Sequence, residues 1–261
     1  MTEKRSLAQR LAIVAAVVVQ IGATFLPQLG LGAPIGDRSD AVRTLITPAG
    51  WAFAIWGPLF LGSGIFALWQ TFPNQKDNAL LNRIGWPAAV ALSMQGIWAI
   101  YTQFADLTYI SSIIILISLA ALLVILRELV KVRRAFTTGE KWIAATTFSA
   151  LAAWLTAASI VNISASLLYH GIGEDGTYPI VAAAVVLLGG AIAAAAVWCS
   201  RGNPWYAAVF CWALLAIFLN GGQESTALAT TCAVSAIAVL YAMCAKLSDR
   251  ADRQHWIGGG R

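Results

Sequence analysis

Apolar stretches of roughly twenty residues alternate along the chain with short polar or glycine-bearing breaks, and eight of them cover almost its whole length. They lie near residues 11–32, 50–71, 84–105, 108–127, 142–168, 178–199, 204–220 and 226–246. A bilayer core demands about 20 apolar residues of a helix, so each stretch reads as one membrane span. Lipid offers no partner to a backbone N–H or C=O, and the runs lack the alternation of a barrel strand. The expected fold is all-α, a polytopic membrane bundle of about eight transmembrane helices with no soluble domain beside it. The first stretch follows MTEKRSLAQR as a signal core would, but it is long and no A-x-A cleavage pattern follows, so it reads as a retained helix.

Composition strengthens this picture. The 261 residues are 59% hydrophobic and 11% charged, against about 25% charged in soluble domains, and the mean hydropathy is +0.73. The net charge of +5 is no nucleic-acid signature, because the basic residues fall in alternate loops as the positive-inside rule predicts. Lys4, Arg5 and Arg10 precede the first span; Lys76 and Arg83 fall between the second and third. Arg127, Lys131, Arg133, Arg134 and Lys141 fall between the fourth and fifth, Arg201 after the sixth, and Lys246, Arg250 and Arg253 after the eighth. The intervening loops carry Asp106, then Glu174 and Asp175, then Glu224. Eight spans with both termini in the cytoplasm fit this arrangement, and a bacterial inner membrane is the expected location. Cys199, Cys211, Cys232 and Cys244 form no C-x-x-C pattern and read as small apolar side chains.

No ionisable residue falls in the middle of a span, so the usual marks of a proton relay or ion path are missing. Lys246 sits at the end of the last span, and His170 and His255 lie at or beyond span ends, which argues against a retinal Schiff base or a bis-histidine haem. No phosphate-cradling loop, H-E-x-x-H or Ser-His-Asp set can be assembled. No catalytic residue and no metal ligand is therefore expected. What remains is aromatic or polar without charge: Gln20, Trp56, Met94, Gln95, Trp98, Trp154 and Asn162. Amides in a span commonly bond helix to helix, and that is the structural alternative for Gln20, Gln95 and Asn162. Asn162 follows Trp154 by eight residues, an offset of about 80°, so both reach one broad helix face. A pocket walled by indoles suits a flat apolar ligand oriented by one or two amides. Trp51, Trp69, Trp86, Trp142, Trp205 and Tyr178 lie near span ends, as an interfacial belt would place them.

In TPAGWAFAIWGP, residues 47–58, Thr47 is placed to cap a helix with Pro48 in its first turn. Pro58 is expected to bend that helix and Gly57 to remove bulk beside the bend, opening room next to the Trp56 indole.

These residues resemble the translocator proteins, also called tryptophan-rich sensory proteins or peripheral benzodiazepine receptors. That family carries Pro and then Trp-Gly-x-Leu-Tyr in its second helix; here Pro48 is followed by Trp56-Gly57-Pro58-Leu59-Phe60. Its fifth helix carries Trp and, eight residues on, an Asn-containing pair; here these are Trp154 and Val161-Asn162. The third-helix Gln is present as Gln95, but Ala99 and Thr102 stand where Asn and Trp are expected, with Trp98 nearby. The resemblance covers roughly residues 8–170 and implies a five-helix core, 1–170, followed by a three-helix extension and basic tail, 171–261. The small face of Gly189, Gly190 and Ala193 suits close helix packing, within the chain or with a second copy.

The resemblance further implies a cavity covered by the loop joining the first two spans, and ligands such as protoporphyrin IX, haem, sterols or benzodiazepine-type drugs. In that loop Ser39 is placed to cap a short helix, with Asp40 in its first turn. Arg38 and Arg43 are placed to meet tetrapyrrole carboxylates, or else to pair with Asp37, Asp40 or lipid phosphate. The candidate binding residues are thus Trp56, Gly57, Phe60, Gln95, Trp98, Trp154, Asn162, Arg38 and Arg43. The leading function is a membrane receptor or carrier-like binder of a flat hydrophobic ligand, with a tetrapyrrole ahead of a sterol. No cofactor is obligatory, membrane lipid surrounds the chain, and a homodimer or a membrane-complex partner would dock on the last three helices. The alternatives are a membrane enzyme acting on porphyrin or isoprenoid lipid, and an assembly subunit of a pigment-bearing complex.

Overall fold

The computed structural model describes residues 5–173 and 178–258; Lys4, Glu174 and Asp175 of the loop pattern lie outside the described residues. Eight long helices stand where the apolar pattern places spans: α1 Leu7–Gly22, α3 Trp56–Trp69, α4 Ala79–Ala105, α5 Tyr109–Val130, α6 Thr146–Tyr169, α7 Pro179–Cys199, α8 Pro204–Phe218 and α9 Thr226–Leu247. Two short helices complete the chain, α2 Ile35–Ala41 between the first two spans and α10 Arg250–Trp256 after the last. Among the described residues there is no strand. Among the described residues six segments are long and apolar enough to cross a membrane: Leu7–Phe25, Gly50–Trp69, Tyr109–Val130, Glu140–Tyr169, Pro179–Cys199 and Thr226–Leu247. α8 is a shorter apolar helix, and Asn82, Arg83, Gln95 and Gln103 dilute the hydropathy of the longer α4. The protein is an integral membrane helix bundle.

Helix starts follow from local chemistry. Side-chain oxygens of Ser6, Asn78, Thr108, Asn203, Ser225 and Asp249 accept hydrogen bonds from otherwise unpaired first-turn N–H groups. Pro179 and Pro204 open α7 and α8, where a missing N–H is harmless. α1 begins at Leu7 and ends at Gly22, ahead of the expected end near residue 32. Beyond it the chain forms 3-10 turns at Ala23–Phe25 and Pro27–Leu29, because Pro27 cannot continue the α-helical ladder.

Three local expectations are corrected. Ser39 caps nothing: it lies buried inside α2, which follows Pro34 and has Asp37, not Asp40, in its first turn. Thr47 does not cap α3; its hydroxyl accepts from Thr44 N at 2.9 Å within the preceding loop. The second span opens instead as a 3-10 turn, Gly50–Ile55, and becomes α-helical at Trp56. Pro58 falls two residues after that changeover, within the first turn of α3, where the N–H it lacks would have been directed at the 3-10 segment.

Neutral polar side chains join the spans. Gln20 Nε2 of α1 donates to Gln95 Oε1 of α4 at 2.7 Å, while Ser118 Oγ of α5 donates to Ala91 O of α4 at 2.9 Å. Tyr206 Oη of α8 donates to Thr156 Oγ1 of α6 at 2.8 Å, and Asn203 Nδ2 donates to Ser149 Oγ at 2.7 Å. The small face of α7 is used inside the chain: a Cβ on Gly190 would collide with Ser235 of α9, and one on Gly189 with Ile160 of α6. Alternate loops gather at opposite ends of the bundle. At the basic end buried Arg5 donates to Gln70 Oε1 at 2.7 Å, tying the start of α1 to the end of α3.

At the same end Glu140, fully buried, receives both Arg134 guanidinium nitrogens at 2.6 Å, Thr137 N at 3.0 Å and Asn78 Nδ2 at 3.1 Å. Arg134 is itself about half exposed and can rehydrate, which limits the loss when its partner goes. Glu140→Gln is expected to destabilise the bundle by about 1–3 kcal/mol, read as a lower unfolding temperature in detergent. Helix α10 closes this end through Trp256 Nε1, which donates to Ser200 O at 2.9 Å. Burial first, and then the Arg201 guanidinium, push the neighbouring His255 imidazole down to about 4. Because the folded pKa lies below the unfolded value of 6.5, α10 is fully docked above pH 6.5 and loses stability as pH falls toward 4. The unfolding temperature is expected to drop across that window, and to drop less in His255→Gln.

Candidate functional site

At the end opposite α10, the loop between α1 and α3 folds over the bundle and encloses three adjoining hollows. The first lies between α2, α3, α4, α6 and α8 and is lined by Phe53, Trp56, Trp98, Trp154, Asn162 and Ile217, with smaller residues between them. The second is lined by Gln20, Thr24, Trp56, Phe60, Gln95, Trp98 and Ala99, the third by Asp40, Arg43, Thr47, Gly50, Phe53 and Trp56. Their volumes are about 50, 230 and 280 Å³. Ile35 and Trp56 belong to all three and so stand at the junction between them.

The aromatic wall has a defined geometry. The Trp56 and Trp154 rings lie 5.9 Å apart, edge to face at 86°, and Phe53 meets Trp154 at 6.3 Å and 85°. Phe60 stacks on Trp56 at 5.1 Å. Trp154 is held deep in α6, 3% exposed. Asn162, two turns along the same helix, accepts from Ser111 Oγ at 3.0 Å and Ser112 Oγ at 2.9 Å at the start of α5. Among the described residues, none lining the first hollow is ionisable.

Seven of the nine candidate residues line these hollows: Trp56, Phe60, Gln95, Trp98, Trp154, Asn162 and Arg43. Gln20 and Gln95 bond to one another, as interhelical bonding predicts, and also face the second hollow. Gly57 does not reach any of the three; it is exposed, with open space beside its Cα, so the room around Trp56 does not come from it. Arg38 is also elsewhere: it pairs with Asp106 at 2.6 Å and donates to Gln103 O at 3.1 Å, not with Asp37 or Asp40. Arg43 bonds to Asn220, a neutral partner 177 positions away.

Sequence reasoning missed two groups of wall residues. Ala157, Ala158, Val161 and Ala165 line the first hollow and follow Trp154 at helical spacing, so extending the Trp154 face along α6 would have found them. Ala213 and Ile217 of α8 also line it, with no local signal to mark them.

A family model described as TSPO-like protein matches residues 6–245. The chain belongs to the TSPO-like protein family. The match runs through α7, α8 and α9, beyond residue 170 where the motif resemblance stops. No curated protein and no solved structure matches the chain.

In this TSPO-like chain the covering loop is pinned on two sides. Ala33 N donates to Gln103 O at 2.9 Å, and the Arg38–Asp106 pair fixes α2 to the end of α4. On the other side Asn220 Nδ2 donates to Thr47 O at 2.7 Å, Ala49 N to Ala216 O at 3.1 Å and Trp212 Nε1 to Ala52 O at 3.2 Å. Trp51 meets Trp212 edge to face at 4.8 Å, so it has an aromatic partner within the chain. A larger hollow of about 690 Å³ lies at the basic end, but its buried carboxylate, Glu140, is already fully engaged. Asn220→Ala removes the partner of both Thr47 O and Arg43. It is expected to raise amide hydrogen exchange in residues 42–50 by about tenfold, with little change in α5.

Proposed function

We propose that the protein is a receptor or carrier-like binder of a flat hydrophobic molecule, with a tetrapyrrole such as protoporphyrin IX or haem as the ligand class and a sterol second. The observation that carries this reading is the position of Trp56. It borders three adjoining hollows, and its indole meets Trp154 edge to face at 5.9 Å. Each hollow is smaller than the 300–1,000 Å³ usual for ligand pockets; rotation of one indole merges them into a slot of that order, walled by aromatic faces. Arg43, facing the third hollow, supplies the cation for a carboxylate at the ligand's edge. Arg38, paired with Asp106, has the separate work of holding α2 over the slot.

The location proposed is a bacterial inner membrane with the basic end cytoplasmic. The basic residues of alternate loops support that orientation, and it opens the site toward the opposite leaflet. Adding protoporphyrin IX to the purified protein is expected to quench tryptophan fluorescence saturably, with Trp56→Phe and Trp154→Phe each weakening the apparent affinity by about 5- to 30-fold. Linear, non-saturable quenching that both variants share would refute the reading.

A further inference from the structure

Trp98 Nε1, Trp154 Nε1 and Asn162 Nδ2 are each shielded from solvent and bonded to nothing. All three residues line the same hollow. An indole nitrogen only donates, so the state of two of them is unambiguous. Asn162 Oδ1 accepts the Ser112 hydroxyl at 2.9 Å, and Nδ2 on the other side of the amide has no partner. Trp154 and Asn162 are each 3% exposed, so water outside the protein does not serve them. Elsewhere in this bundle polar groups pair across spans, as with Gln20 and Gln95 or Tyr206 and Thr156, or are left singly without a partner away from this hollow, as at Thr102, Ser159, Ser166 and Trp205. Three orphaned donors on one cavity depart from that pattern.

The surroundings restrict what meets them. No lysine, arginine or carboxylate lines this hollow, so an anionic acceptor would enter an apolar space without a counter-charge, at a large desolvation penalty. A pure hydrocarbon would leave the donors unpaired. Trp154 and Asn162 are two helical turns apart, about 12 Å along α6, so no single acceptor satisfies both. We infer that the part of the ligand seated between Trp98, Trp154 and Asn162 is a flat ring system with neutral oxygen acceptors toward both ends, carbonyls of the ketone, lactam or quinone type. This rests on the flat-ligand reading and narrows it: a tetrapyrrole that fits carries carbonyl groups on the buried ring edge and keeps any carboxylate outside, near Arg43.

Three probes of matched length separate the cases: 2,6-diacetylnaphthalene, 2,6-diethylnaphthalene and naphthalene-2,6-dicarboxylate, titrated calorimetrically into the full-length protein in detergent. The diketone is expected to bind about tenfold or more tighter than the other two, since one neutral hydrogen bond is worth roughly 2- to 12-fold. Trp154→Phe and Trp98→Phe should each reduce the diketone-to-hydrocarbon ratio by that single-bond factor, any loss of aromatic contact being common to both probes and cancelling in the ratio. Trp98 is only partly buried, so its variant preserves the test if Trp154→Phe fails to fold. A hydrocarbon that binds as tightly as the diketone, or a ratio unchanged in the variants, overturns the inference and assigns the donors to trapped water, while the flat-ligand reading survives. Binding of protoporphyrin IX with none of the three naphthalenes has the same meaning. If neither naphthalenes nor porphyrin bind, both fall together.

Discussion

A polar group placed inside a membrane-spanning helix must find a partner from another helix or from a ligand, because lipid supplies none. That constraint organises this bundle more than hydrophobic burial does, since lipid tails are as apolar as the leucines that face them. The amides and hydroxyls of α1, α4, α5, α6 and α8 therefore act as registers: Gln20 with Gln95, Ser118 with Ala91 O, Asn162 with Ser111 and Ser112, Tyr206 with Thr156. Where the pairing is complete the helices are fixed. Where three unpaired donors gather, at Trp98, Trp154 and Asn162, there is a cavity.

The same constraint separates the two ends of the molecule. At the basic end charge is neutralised at short range, by Arg134 on Glu140 and Arg201 on Asp252 at 2.6 Å each, and α10 covers the ends of the spans. At the other end the cover is a loop whose own helix, α2, has only seven residues and is too short to be stable alone. It is held by α4 on one side and by the corner between α8 and α9 on the other. A cover fixed by a few hydrogen bonds opens more readily than one fixed by a core, which suits entry of a ligand that cannot pass through the closed hollow.

The long helices were legible in the sequence because a 20-residue apolar run leaves few alternatives. Trp154 and Asn162 were legible as sharing one face because spacing along one helix fixes relative direction, and Trp56 was legible beside them because it falls inside an apolar run and not at its edge. Gly57 was misread for the opposite reason: glycine shows that space is available, not on which side, and α3 turns that residue outward. Arg38 was expected to face ligand, lipid or a neighbour in its own loop, but a guanidinium takes the nearest carboxylate in space. Asp106 is 68 positions away, in a left-handed backbone conformation with φ of 70° that turns the chain at the end of α4.

By itself, then, the sequence determined the class of fold, the number and order of the spans and the alternation of basic loops, since each depends on local hydropathy and charge. It also determined which aromatic and amide residues are too costly to leave in lipid. Only the tertiary structure decided that α8 supplies part of the cavity wall through Ala213 and Ile217, that Asn220 pins the covering loop, and that three donors on two helices are left without acceptors. These depend on contacts between residues far apart in the chain, and the apolar faces of α7, α8 and α9 look alike until packing assigns each its neighbour.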